Sequence, residues 1–241
     1  MSKPGQYDLQ LDRNSWIVVR LDGRNFSGRS QQYKRPFDPQ FHAAMRQVTE
    51  TLMAETPAVA AHTASDEISL IFAPDTDWFS HRFDKWISTC ASVAGAALFR
   101  YLTRIEGIPS ADARALAISD QAALTDYLHD RLRNSRRNCR NAYIYWSLRE
   151  QGLSPREADT RSRQMAHERN DFIPTEAADW ESYGAIVYYS IVSHTGLDPR
   201  TNTPVPTTRR RLSWAELDGP AGLEQVTNEI TSYAQSLGNK G

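Results

Sequence analysis

Apolar and polar positions along this chain repeat with two different periods, and each change of period marks an element. Trp16 to Leu21 is almost wholly apolar and rich in β-branched residues, which predicts a buried strand ending on Asp22-Gly23. Ser27 to Lys34 is a polar loop. Pro36 and Asp38 then announce a helix, and Phe41, Ala44, Met45, Val48 and Leu52 follow at helical spacing to about Glu55, before Pro57. Val59 to Thr63 and Ile68 to Phe72 predict short strands joined by a tight turn at Ala64 to Glu67. A second helix is expected over Phe79 to Ile105, with Trp86, Cys90, Ala97 and Leu98 on its inner side, and a further strand over Ala113 to Ile118.

Strand, helix, strand, strand, helix, strand is the order of the ferredoxin-like split βαβ unit. In that topology the strand beginning at Ile68 runs antiparallel beside the one ending at Asp22, so Asp22 and Asp66 meet. Asp120 reads as the N-cap of a helix running to about Gln151, with room for a break. Ser154-Pro155-Arg156-Glu157 is a capping box with proline at the first helical position. Gly184 to Val192 predicts a strand, Gly196 to Pro206, with its three prolines, a loop, Thr207 to Trp214 a returning strand, and Leu223 to Leu237 a terminal helix. The fold class expected is α+β: an antiparallel sheet with helices on one face over residues 1–119, and an appended helical and β-hairpin portion over 120–241.

Composition narrows the field. In 241 residues with 40% apolar content there is material for a sizeable core, and a net charge of −1 excludes a grossly basic nucleic-acid binder but not a local basic face. The two cysteines, Cys90 and Cys139, make no metal pattern, the six histidines show no zinc spacing, and no Ser-His-Asp motif stands out. Met1 to Gln10 lacks the apolar core of a signal peptide and no run is long enough to span a bilayer, so the expectation is a cytoplasmic protein without a membrane partner.

The candidate chemistry lies in the acids. A carboxylate at the open end of a core strand is costly unless something ionic meets it, and Gly23, lacking a Cβ, lets the backbone approach that same object. Two carboxylates held close repel unless a cation lies between them, and Mg²⁺ suits their hard oxygens. Two such ions about 3.5–4 Å apart activate an attacking hydroxyl and stabilise a departing pyrophosphate. The residues alone fit as well a turn cap at Asp22 and a solvated hairpin tip at Asp66-Glu67. Gly23 to Ser30 nearly matches a phosphate-binding loop, but with Arg29 in place of lysine and Pro36 too close for a helix to begin at once. The backbone of Gly23, Arg24, Asn25 and Phe26 remains a candidate triphosphate cradle. Arg82 and Lys85 share one helix face and fit either triphosphate oxygens or solvent. Arg133, Arg136, Arg137 and Arg140 form a basic helical stripe fit for RNA phosphates or for the acids of a neighbouring subunit, and Arg209-Arg210-Arg211 is a second basic spot with the same two readings.

W-I-V-V-R-L-D-G-R-N-F at Trp16 to Phe26, Arg35-Pro36-x-Asp38 and S-D-E-I-S-L-I-F at Ser65 to Phe72 resemble the tRNA(His) guanylyltransferase family and its 3′–5′ polymerase relatives. The likeness continues through Asp77 to Lys85, Asp126-Tyr127-Leu128, Gly152 to Ala158, Glu168 to Asp171 and Tyr183-Gly184. It implies a polymerase-like palm holding two Mg²⁺ on Asp22, Asp66 and the Gly23 carbonyl, with Glu67 in support. Arg20, Asp22 to Ser27, Arg35, Ser65, Asp66, Arg82, Lys85 and Asn138 would surround the nucleotide, and Arg169 and Asn170 would join the arginine stripe on RNA. The implied reaction adds a nucleotide to the 5′ end of tRNA or a tRNA-like RNA, with ATP or GTP as substrates, and the implied assembly is a homotetramer. Either guanylate addition to tRNA(His) or template-dependent 5′-end repair fits. The alternatives are an RNA-binding palm protein without transferase activity, and a palm nucleotide cyclase or other small-molecule nucleotidyltransferase. Ser27 stands where the family commonly has histidine, and Arg136-Arg137-Asn138-Cys139 where it has H-I-N-N.

Overall fold

The computed structural model describes residues 9–168, 177–217 and 219–238. Strand β1 (Trp16–Gly23) leads through Arg24 and Asn25 into a one-turn helix α1 (Phe26–Arg29), and α2 (Pro39–Glu55) follows. The Asp38 carboxylate caps α2 by accepting from the amides of Gln40 and Phe41, and proline sits where its missing N–H costs nothing. The hairpin β2 (Ala60–Ala64) and β3 (Glu67–Phe72) comes next, turning at Ser65-Asp66, and then α3 (Phe83–Tyr101) and β4 (Ala111–Ile118). The second half contributes α4 (Gln121–Glu150), α5 (Pro155–Glu168), α6 (Asp179–Tyr183), β5 (Ala185–Leu197), β6 (Pro204–Glu216) and α7 (Leu223–Gly238).

The six strands form one antiparallel sheet in the order β4-β1-β3-β2-β5-β6. Pairing β5 to β2 carries the sheet from the first half of the chain into the second. In the β1–β3 register Asp22 lies opposite Glu67, Arg20 opposite Ser69 and Ile17 opposite Phe72. Alternation then gives the sheet two distinct sides. One carries Ile17, Val19, Leu21 and their partners Phe72, Leu70 and Ile68. There α2 and α3 bury it, with Trp86 of α3 edge-on to Phe72 at 4.7 Å between centroids. The other side carries Arg20, Asp22, Glu67 and Ser69. The buried Leu124, Leu128 and Leu132 of α4 belong to the same core, and Tyr127 of α4 meets the Ser69 hydroxyl at 2.8 Å.

Several expectations shift. The helix expected over 79–105 is shorter, because Phe79, Ser80 and His81 all have positive φ and form a tight 3₁₀ turn before α3 begins at Phe83. Helix α4 runs unbroken for 30 residues. A helix does begin directly after β1, for one turn, and α6 is a further short helix that periodicity did not show. The loop expected over Gly196–Pro206 is shorter: β5 extends to Leu197 and β6 starts at Pro204, leaving residues 198–203 as the connection. Proline is tolerated because β6 is the edge strand of the sheet, where an amide facing outward has no partner to lose.

Candidate active site

The end of β1 and the β2–β3 turn converge on a cavity of about 510 Å³, a size fit for a nucleotide. Arg20, Asp22 and Gly23 line it from β1, and Asn25, Phe26 and Ser27 from the following turn. Ser65, Asp66 and Glu67 line it from the hairpin, and Arg35 to Asp38, Phe41 and His42 from the lead into α2. The far wall is α4, through Asn134, Ser135, Asn138, Cys139, Ala142 and Trp146, with Trp180 and Glu181 of α6 beside it.

Three of the five carboxylates that line the cavity come from β1 and the hairpin, and they are in two different states. Glu67 receives the guanidinium of Arg20 and, at 3.2 Å, that of Arg131 from α4, so its charge is compensated from two sides. Asp22 and Asp66 make no ion pair among the described residues. Burial raises the pKa of Asp22, and the nearby Glu67 and Asp112 raise it further. Asp66 keeps some accessible surface but is densely surrounded, and burial first, then Asp22, pushes it up to about 6. A pair of half-desolvated, mutually repelling oxygen donors is the environment a hard divalent cation relieves. The donor set therefore fits Mg²⁺ through Asp22 and Asp66, with the adjoining Gly23 carbonyl as a further hard oxygen.

Gly23 has a role that the sequence did not reveal. A Cβ there would lie 2.6 Å from the ring of Phe26, which is 3% exposed, so the missing side chain makes room for the aromatic that anchors α1. The cavity's other end is aromatic. His42 stacks on Trp180 with ring centroids 4.4 Å apart, and Phe37 packs between Trp180 and Tyr143, whose hydroxyl donates to Glu181. The Arg35 guanidinium lies 5.3 Å over Trp146 and donates to the Ser30 hydroxyl at 3.2 Å. One end thus suits phosphates and metal, the other a flat base.

The first 119 residues carry the family likeness. The family model described as tRNAHis guanylyltransferase matches residues 2–119, and a human probable tRNA(His) guanylyltransferase is 31% identical over 172 residues, 67% of this chain. Over residues 2–119 the chain matches the tRNA(His) guanylyltransferase family. The match spans 58% of the human relative's own length. Among solved structures, a bacterial tRNA(His) guanylyltransferase-like protein in complex with ATP superposes with a TM-score of 0.67 at 19% identity, covering 93% of both chains. The Saccharomyces cerevisiae tRNA(His) guanylyltransferase gives 0.62 at 22% identity, over 76% of this chain and 90% of that one. These two likenesses establish the shared fold, which in this family is palm-like.

Several residues expected from the family pattern lie away from the cavity. Arg82 and Lys85 sit where α3 begins, beside Gln10 and the Phe72–Trp86 contact, and Arg82 pairs with Asp84 at 2.9 Å. Phe72 faces Ile17, five residues from Asp22 along β1, so this is the opposite end of the sheet, roughly 17 Å away at about 3.4 Å per residue. Arg24 is exposed and its amide donates to Ser110, so it does not line the cavity. The arginine stripe, expected on RNA phosphates or on the acids of a neighbouring subunit, faces away from the cavity. Asn134, Ser135, Asn138 and Ala142 turn to the cavity, and at about 100° per residue Arg133, Arg136, Arg137 and Arg140 fall on the opposite side of α4. Arg133 pairs there with Asp130, and Arg137 donates to Asn134. Arg169 and Asn170 lie outside the described residues. Residues that sequence reasoning missed are Arg131, Tyr127, His42 and Trp180. The first two flank the Leu124-Leu128-Leu132 face of α4, and that periodicity was the available signal.

Proposed function

We propose that this chain is a nucleotidyltransferase that adds nucleotides to the 5′ end of tRNA or tRNA-like RNA, growing it in the 3′–5′ direction. The observation that carries the reading is the uncompensated pair Asp22 and Asp66 lining a nucleotide-sized cavity, while their neighbour Glu67 is held by two arginines. When bound, Mg²⁺ would supply charge to polarise the phosphate and to activate the 3′-hydroxyl of the incoming nucleotide. Asp22 and Asp66 would hold it through their side chains and Gly23 through its carbonyl. Ser27, Ser65 and Asn25 offer hydroxyl and amide donors to the triphosphate. Glu67 fixes Arg20 in place as a positive charge beside those oxygens. Trp180, His42 and Phe41 provide the surface against which a base of ATP or GTP would lie.

The family match supports guanylate addition to tRNA(His), and template-dependent 5′-end repair uses the same groups. Two Mg²⁺ ions, assembly as a homotetramer and a cytoplasmic location belong to the same proposal and rest on the family resemblance. The test is transfer of a labelled nucleotide to 5′-monophosphorylated and 5′-triphosphorylated tRNA, intact and shortened at the 5′ end. Asp22→Asn and Asp66→Asn should each lower transfer at least about 100-fold, in line with loss of charge stabilisation at a reacting centre, and EDTA should abolish it. Their melting temperatures should stay level or rise, because repulsion between the acids is relieved. Turnover at the unaltered rate in either variant would refute the assignment.

A further inference from the structure

Beyond Tyr188, strand β5 leaves the sheet. Its pairing with β2 covers only Ala185 to Tyr188, whereas its pairing with β6 continues to Leu197↔Pro204. The outer eight pairs, from Ser190↔Arg211 to Leu197↔Pro204, are a two-stranded ribbon with no third strand among the described residues; Ser190 and Ile191 still lie beside α7, and the remaining six pairs reach about 20 Å further at about 3.3 Å per residue. Residues 190–197 and 204–211 contain no acid, and Arg209, Arg210 and Arg211 are all exposed on it. Arg210 lies 4.2 Å over the ring of Tyr189, while Arg209 and Arg211 make no ion pair among the described residues.

Register assigns a side to these arginines. Asp22 pairs with Glu67, Glu67 with Ala64, and His62, two residues before Ala64, with Ile186. Ile186 shares its side with Ser190 and Val192, which pair with Arg211 and Arg209. Both unpaired guanidiniums therefore belong to the side of the sheet that carries Asp22. On that same side Ser190 and Thr207 place hydroxyls beside the two guanidiniums, together the donor chemistry of phosphate-backbone contact. A protein partner would have to bring several acids to two strand segments with none, whereas RNA brings a charge with every nucleotide. A lone two-stranded ribbon is also only marginally stable in water, so a partner lying along it would stabilise it.

We propose that this ribbon is an RNA-backbone arm, in which Arg209 and Arg211 bind phosphates of the RNA whose 5′ end enters the acid-lined cavity. The assignment rests on the RNA-extending reading above and adds the surface that holds the body of the substrate. It would not be sequence-selective, because phosphates position an RNA without reporting its bases.

The experiment compares the unaltered protein with Arg209→Ala/Arg211→Ala, measuring affinity for a 5′-triphosphorylated tRNA transcript across a series of KCl concentrations. GTP binding, read by tryptophan fluorescence, and sedimentation velocity are followed in parallel. Two lost phosphate contacts should lower the slope of log K against log salt by about 1.4–1.8, and weaken binding about tenfold at 0.1 M salt, with GTP binding and sedimentation unchanged. An unchanged salt slope overturns the arm while leaving the transferase reading intact. A change in sedimentation in the double variant also overturns it, assigning the ribbon to contact between copies of the chain. Failure of the unaltered protein to bind RNA at all removes both readings, and nucleotide transfer by the unaltered protein tells the two failures apart.

Discussion

Gly184 joins the aromatic wall of the cavity to the sheet, and replacing it with alanine should weaken both. Its backbone sits at φ 72, ψ −153, a region open essentially to glycine alone, and forcing a side chain into it costs about 1–3 kcal/mol. A Cβ would also stand 2.1 Å from the carbonyl oxygen of Thr63 and 2.8 Å from the Cβ of Ala64. The nearest of these is backbone, held in the β2–β3 and β2–β5 pairings, so no side-chain rotation relieves the clash. Together the two effects amount to about 3–5 kcal/mol, or a fall in melting temperature of roughly 6–20 °C for a chain of this length. The displacement would travel along one short path. The Tyr183 carbonyl accepts a 2.9 Å hydrogen bond from buried His62, and the α6 turn just before it presents Trp180 and Glu181 to the cavity. KM for the nucleotide should therefore rise more than kcat falls, because the variant moves the wall where a base would lie and leaves Asp22 and Asp66 in place. The assays are a thermal melt followed by circular dichroism, and steady-state transfer below the new melting temperature. A melting temperature within 2 °C of the unaltered protein would show that β5 can shift freely, and the reasoning would fail.

Two other predictions rest on charge. His42 is pushed down to about 4, by burial first and then by the nearby Arg46. A histidine whose folded pKa lies below its unfolded value of about 6.5 contributes stability that is complete above pH 6.5 and lost as pH falls toward 4. Because the ring keeps partial exposure, the loss is about 1–2 kcal/mol, and His42→Gln should flatten stability between pH 7 and pH 4.5 by that amount in urea titrations; an identical pH dependence would count against it. Arg131→Met removes one of the two cations on Glu67 and should destabilise by about 2 kcal/mol. In a double-mutant cycle with Glu67→Gln the coupling should exceed about 1 kcal/mol, and a coupling indistinguishable from zero would mean the pair is not a unit.

Much of the site was legible because its signals are local. An apolar run ending in Asp22-Gly23, Pro36 and Asp38 ahead of a helical spacing and an acid in a tight hairpin turn each report their own neighbourhood, and the antiparallel topology brought Asp22 and Asp66 together. What could not be read depends on partners distant in the chain. Arg131 looks like one more arginine in a basic helix until Glu67, 64 residues away, is seen beneath it. The length of β5 and β6 was hidden by Pro204, Pro206 and Gly196, which signal a loop unless the strand is known to lie at an edge. Arg82 and Lys85 were expected at the triphosphate from the motif that contains them, whereas the 3₁₀ turn at Phe79–His81 seats them at the other end of the sheet.

The sheet crosses the midpoint of the chain through a single seam, β2 against β5. A shortened version ending near residue 119 would keep both candidate metal-binding acids yet bare the backbone of Ala60 to Thr63, a row of open donors and acceptors without an acid, lysine or arginine. Such a row invites copies of itself to add on. Isolating the acid-bearing half for study would thus trade a missing neighbour for self-stacking, so the ribbon-bearing half is, whatever it binds, a cover for the edge of the acid-bearing one.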